Sequence, residues 1–115
     1  MKIFNLTRKT IIAENAQIAD TFLSRVIGLL NRGSLNPLEA LVITGCRSIH
    51  MVFMKFPIDV IFVDGSNQVV GLVKEIKPFC FSPIFFKASK AIELPVQSIE
   101  KSQTQFGDSL QILRN

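Results

Sequence analysis

The chain has no tryptophan and no tyrosine, a single histidine and only two cysteines. Each shortage closes a class. Ten phenylalanines supply all the aromatic content, so the rings carry no hydroxyl or indole N–H, and they read mostly as core. Cys46 and Cys80 fall short of the dense disulfide framework of small secreted chains and read as free thiols. One histidine cannot complete the second Cys/His pair of a zinc set. No stretch of about 18 apolar residues is present, which excludes a membrane-spanning helix. The opening "MKIFNLTRKTII" has no apolar run long enough for a signal peptide, so the expected location is cytoplasmic. Dinucleotide, P-loop and nucleophile-elbow motifs are missing as well, and no cofactor is expected.

What is present suits one globular unit. Apolar residues make up 48% of 115 positions, and charged residues 19%. A chain this long buries about two thirds of the surface its unfolded form exposes, enough for one core across a single domain, residues 1–115. The net charge of +4 is uneven. Lysine and arginine outnumber acids in the first half, where the acids are Glu14, Asp20 and Glu39. A basic half can face nucleic acid or an acidic partner. No basic cluster or aromatic platform is evident alongside the charge, which argues against nucleic acid.

Short strand signals dominate. "KIFNL" and "TII" face each other across a basic turn at Arg8 and Lys9. "EALVITG", "IDVIFV", "QVVGLVKEI", "KAIELP" and "DSLQIL" follow, with "DGSN" between the second and third as turn chemistry. "VQSIEKSQ" has room for a helical turn or two. "FCFSPIFF" is broken by Pro83, so it reads as an edge strand or packed loop, and as either core or a dimer face. In "NAQIADTFLSRVIGLLN", Ile18, Phe22, Val26 and Leu29 or Leu30 recur at helical spacing, predicting one main helix over about residues 16–31. Arg25 flanks that stripe and must snorkel or find a carboxylate. The fold class is α+β, mainly antiparallel β: a curled sheet or small barrel with the helix packed against it.

The densest chemistry lies in "CRSIHMVFMKFPIDVIFVD", residues 46–64. Alternation along the strand puts Ile58, Val60 and Phe62 on one face and Asp59, Ile61 and Val63 on the other, both apolar, so the strand is covered twice. Asp59 then needs a cation or several N–H donors. Arg25 is the first candidate and Lys55 the second. Upstream, an extended backbone puts His50 and Met54 on one face, whereas a helical turn aligns Cys46, His50 and Met54 at steps of four. The second arrangement suits a soft metal or a thiol–base pair. Glu93, on a short apolar strand, reads as a second buried acid or as a cross-strand partner of a lysine. In "FGDSL", Gly107 supplies a turn that Asp108 caps.

These residues carry a family resemblance. "SRVIGLLNR", the 46–64 block, "IKP", "AIELP" and "GDSL" resemble, in order, the blocks of the family called domain of unknown function 192. The resemblance covers Arg25, Gly28, Cys46, Ser48, Ile49, His50, Phe53, Met54, Pro57, Ile58, Asp59, Glu93, Leu94, Pro95, Gly107 and Asp108. It implies one small, largely antiparallel domain with an early helix, and no established activity. The chain departs from the pattern at Phe79 and Cys80, where relatives often carry Trp-Arg, and at Val96 and Gln97, where a glycine is missing. Some relatives carry an export signal that is not seen here.

Three functions are compatible with these residues. The first is a non-catalytic module that binds a small molecule or protein, with Arg25, Cys46, His50, Met54, Asp59 and Glu93 as candidate ligand contacts near a polar cleft at 46–59. The second is a hydrolase or transferase that uses Cys46 and His50, aided by Asp59. The third is a soft-metal protein with Cys46, His50 and a methionine as ligands. The first needs only the polar groups that a barrel mouth offers, and no resident metal is expected in it.

Overall fold

A computed structural model describes residues 1–19, 33–51 and 54–114. Strands form where β-branched and apolar residues alternate, and turn residues end them. β1 (Lys2–Asn5) and β2 (Thr10–Ala13) make the first hairpin, with Lys9 in the left-handed region at φ 59°. β3 (Asn15–Ala19) and β4 (Glu39–Thr44) lie parallel. β5 (Ile58–Val63) and β6 (Val69–Ile76) form the second hairpin. β7 (Lys90–Leu94), a five-residue helix α1 (Ser98–Ser102) and β8 (Leu110–Leu113) complete the described chain.

These strands build two sheets. One runs β2-β1-β8, and the other runs β3-β4-β7-β5-β6. Among the described residues, all strand pairings are antiparallel except β3 with β4. The sheets are curled rather than closed, so the fold is the α+β arrangement expected, with an open sheet in place of a barrel.

One expectation shifts. Residues 16–19, read as the start of the main helix, belong to β3, and residues 20–31 lie outside the described residues. Ile18 opened the helical stripe, yet it is exposed; small Ala16 and Ala19 are the residues that face inward. Local periodicity cannot register a parallel pairing, because the partner strand lies a crossover of more than about a dozen residues away.

Every residue of β5 is buried. One face of the large sheet packs Ile58, Val60 and Phe62 with Ile49, Met51, Met54 and Phe56. The other packs Ile61, Val63, Ile92 and Leu94 against Ile3, Ile12 and Leu110 of the small sheet and Ile99 of α1. Each of these fully buried side chains contributes roughly 1.5–3 kcal/mol relative to exposure. The twice-covered strand is therefore the energetic centre of the domain.

Phe85 reaches back onto that strand, its ring 4.5 Å from the ring of Phe62. It lies flat on Gly71, where an added Cβ would stand 2.5 Å from the ring. A second anchor ties the first hairpin to the last turn. Asn5, fully buried, donates to Thr104 Oγ1 and to Asp108 Oδ2, each at 3.0 Å. Arg8 Nε and the Gln105 N–H donate to the same carboxylate oxygen. Burial pushes the Asp108 carboxyl upward, but the hydrogen bonds from Arg8, Asn5 and Gln105 and the Arg8 charge outweigh it, so it sits below the ordinary carboxylate range. Asp108 thus caps its turn, as its place in "FGDSL" suggested, and also locks the two chain ends together.

Two outcomes follow from this packing. Gly71→Ala drives a methyl into a ring already packed against Phe62, and should lower the denaturant-unfolding free energy by about 1–3 kcal/mol. Because the folded carboxyl of Asp108 is depressed, its stabilisation is complete above the unfolded value near about pH 4 and is lost as pH falls through the folded value. Urea midpoints measured across that acid range should fall more steeply in the wild type than in Asp108→Asn.

Candidate functional site

Asp59 is the second residue of β5 and is 1% exposed. A carboxylate held this far from water must find donors. Two local distortions supply them. Across the β5–β6 hairpin, Ile58 pairs with Ile76 and Val60 with Val73, so Asp59 faces two residues, Lys74 and Glu75. This is a β-bulge, and Glu75 takes φ 49° within it. The bulge turns the Glu75 N–H onto Asp59 Oδ1 at 3.0 Å.

The second donor comes from the chain after β7. Pro95 ends the strand, Gln97 adopts φ 73°, and α1 begins. Gln97 makes no side-chain cap. Asp59 does that work from across the sheet, accepting the Ile99 N–H on Oδ2 at 3.0 Å. An N-terminal helix donor is normally satisfied by a neighbouring Ser, Thr, Asp or Asn. Here one buried carboxylate holds both a bulge and a helix start.

Above it lies a cleft of about 300 Å³ lined by Asp59, Lys74, Glu75, Gln97 and Glu100. Lys74 Nζ stands 3.6 Å from Glu100 Oε1 across the rim, with both side chains more than half exposed. Such exposed pairs contribute about 0–1 kcal/mol, so the rim opens at little cost.

Not all the sequence candidates gather here. Arg25 lies outside the described residues. The expected neutralising cation does not appear among the described residues: Asp59 is held there by two backbone N–H groups and forms no ion pair, while Lys55 is exposed. Hydrogen bonds to the ionised form stabilise a buried carboxylate much as a counter-charge does. Glu93 is fully buried, but it pairs with Val60 and Leu41, whereas Asp59 pairs with Leu94. Alternation therefore puts the two acids on opposite faces of the sheet.

Cys46, His50 and Met54 belong to the Glu93 side of the structure. Cys46 is half-buried, and its Sγ donates to the Ser48 carbonyl at 3.0 Å. Residues 49–51 are extended rather than helical. The N–H groups of Met51 and Ser82 reach the Cys80 and Ile49 carbonyls, and His50 bridges Phe81, the two rings 6.3 Å apart. Met54 is buried in the core at 6% exposure. Among the described residues, no group of three or more His, Cys, Asp or Glu side chains is placed to hold a metal ion.

Lys74, Glu75, Gln97 and Glu100 escaped sequence reasoning. A bulge has no reliable local signature. One signal was available at Gln97, which stands where the family pattern has a glycine nearby, and the left-handed backbone there is the conformation a glycine adopts freely.

Comparison with known proteins agrees with this fold. The DUF192 family model, described as uncharacterised ACR, matches residues 4–112. A UPF0127 protein of Thermococcus sibiricus is 34% identical over 112 residues, covering 94% of this chain and 72% of the relative. A UPF0127 protein of Pyrococcus furiosus is 31% identical over 115 residues, covering 95% and 96%. Two crystal structures share the fold. One, a protein of unknown function from Novosphingobium aromaticivorans, has a TM-score of 0.79 at 16% identity, covering 96% of this chain and 82% of that one. The other, from Sinorhizobium meliloti and described as a proposed transcription regulator, has a TM-score of 0.75 at 15% identity, covering 96% and 89%.

Replacing Asp59 by Ala strips the acceptor from two N–H groups at once. Charge-assisted bonds of this kind contribute about 1.5–3 kcal/mol each, so Asp59→Ala should lose about 3 kcal/mol or more in chemical denaturation. Asp59→Asn keeps one carbonyl acceptor and should lose less.

Proposed function

The chain belongs to the DUF192 family of uncharacterised proteins, and on that premise we propose that it is a non-catalytic binding module whose ligand enters the Asp59 cleft. The observation that carries this reading is the Asp59 carboxylate itself. It borders the cleft from a nearly sealed position, 1% exposed, and its described partners are two N–H groups. A carboxylate offers about four acceptor positions, so capacity remains for a ligand donor.

The cleft walls set the ligand class. Asp59, Glu75 and Glu100 bring three carboxylates against one amine, Lys74. The surplus favours a cationic or N–H-rich group. The volume lies at the bottom of the range of roughly 300–1,000 Å³ for small-molecule sites, which fits an alkylammonium or guanidinium group rather than a nucleotide. Two non-glycine residues in the left-handed region, Glu75 and Gln97, flank the carboxylate. Strain of this kind concentrates at ligand sites.

The enzyme alternative has less support. It requires Cys46 and His50 to act as nucleophile and base. The Cys46 Sγ is in hydrogen-bond contact with a backbone carbonyl, and Asp59 lies on the far face of the sheet from the core that Cys46 packs against.

Amide-resolved NMR titration with putrescine and arginine methyl ester tests the reading, with succinate as the anionic control. The Glu75, Gln97 and Ile99 amides should shift with the cations and not with succinate. Asp59→Asn should weaken the response about tenfold or more, in line with losing a charge-assisted contact. Unmoved amides, or equal binding by the variant, contradict it.

A further inference from the structure

We propose that the loop of residues 79–86, together with Phe106, docks on an anionic phospholipid surface. This inference is independent of the Asp59 cleft. Phenylalanines of the segment that the sequence leaves open as core or dimer face are turned to solvent. Phe79, Phe81, Phe86 and Phe106 are 74%, 71%, 76% and 74% exposed, and Ile84 is 58% exposed. The reason is local. Among the described residues Phe85 occupies the site over Phe62 and Gly71, and Ser82 is turned inward to accept the Ile49 N–H and donate to the Pro83 carbonyl. With those two side chains inward, their neighbours face out.

Ile84, Phe86 and Phe106 converge with Val70 and Lys87 around an apolar hollow of about 320 Å³. Phe79 presents its ring from a backbone at φ 67°, a strained conformation for a bulky residue, while its N–H is held by the Met51 carbonyl. Ile84, Phe86 and Phe106 share that hollow, Phe79 and Phe81 stand exposed on the same loop, and apolar exposure on this scale marks an interaction surface.

Charge selects the partner. Residues 45–58 and 76–92 contain no acid. They carry Arg47, Lys55, Lys77 and Lys87, all exposed, and half-buried Lys90, which donates to Asn67 Oδ1. The two segments are hydrogen-bonded to each other through Ile49–Ser82, Met51–Cys80 and Arg47–Phe85 contacts. Glu75, the nearest acid before the loop, lines the Asp59 cleft. A second copy of the chain would set cation against cation, so self-association is disfavoured.

An anionic partner must also accept aliphatic and aromatic surface without hydrogen bonds, since residues 79–86 present no exposed polar side chain other than the Cys80 thiol. Nucleic acid needs donors for phosphates and base edges along with stacking rings, and Ile84 and Pro83 offer neither. A lipid interface takes the apolar groups among its acyl chains while lysines snorkel to the headgroup phosphates.

Co-sedimentation of the full chain with vesicles decides the matter. Vesicles of phosphatidylcholine with phosphatidylglycerol should pellet the protein. Phosphatidylcholine alone should not, and raising salt from about 50 mM to about 500 mM should release it about fivefold or more. Phe81→Ser with Phe86→Ser should abolish pelleting while leaving the melting temperature unchanged, since both rings are exposed. Lys77→Glu with Lys87→Glu should do the same on anionic vesicles. Failure to pellet with anionic vesicles at low salt overturns the proposal. So does tighter binding to single-stranded oligothymidylate, or a stable dimer in sedimentation velocity that the same serine substitutions dissolve.

Discussion

One carboxylate organises the part of the molecule in which a ligand is proposed to bind. Asp59 holds the Glu75 N–H on one oxygen and the Ile99 N–H on the other. The first contact fixes a bulge in β6, and the second fixes the start of α1. Both donors are backbone groups that the regular ladder leaves without a partner, and a buried N–H left unmade costs as much as the bond itself contributes. The cleft follows from that geometry, because its walls are the bulge residues Lys74 and Glu75 and the α1 residues Gln97 and Glu100.

The large sheet divides the chemistry in two. Strand alternation sends Asp59 toward the small sheet and Glu93 toward the core around Met51, Met54 and Phe56. Residues adjacent in a sequence block, such as His50 and Asp59, therefore serve different neighbourhoods. The basic, phenylalanine-rich loop grows from the Met51 side, tied there by the Met51 and Ile49 backbone. A small domain can in this way carry a polar cleft and an apolar face whose requirements do not compete, since each rests on its own strand ends.

Much of the fold was legible because it is written in alternation and turns. "IDVIFV" announced a strand covered on both faces, and all six residues are buried. The first hairpin, the β5–β6 hairpin, the short helix after "ELP" and the last strand stand where turn residues and apolar runs put them. Ile18 misled because a helical period and an edge strand with alanines inward look alike over five residues. The phenylalanines of residues 79–86 stayed open as core or dimer face for a different reason: composition reports that a ring is apolar, not that the space over Gly71 is taken by Phe85. At the site, burial of Asp59 was readable from its strand, but its partners were not. N–H groups carry no residue identity, so no sequence pattern names Glu75 or Ile99 as donors.

Asp59 organises this half only if it holds both the Glu75 and the Ile99 N–H groups. Native-state hydrogen exchange at single-residue resolution measures it directly. The Glu75 and Ile99 amides should be protected to within about tenfold of the Ile61 and Ile92 amides in the core, although the Glu75 side chain is exposed. Exchange of either amide at the rate of an open loop would contradict the claim that Asp59 organises this half of the domain.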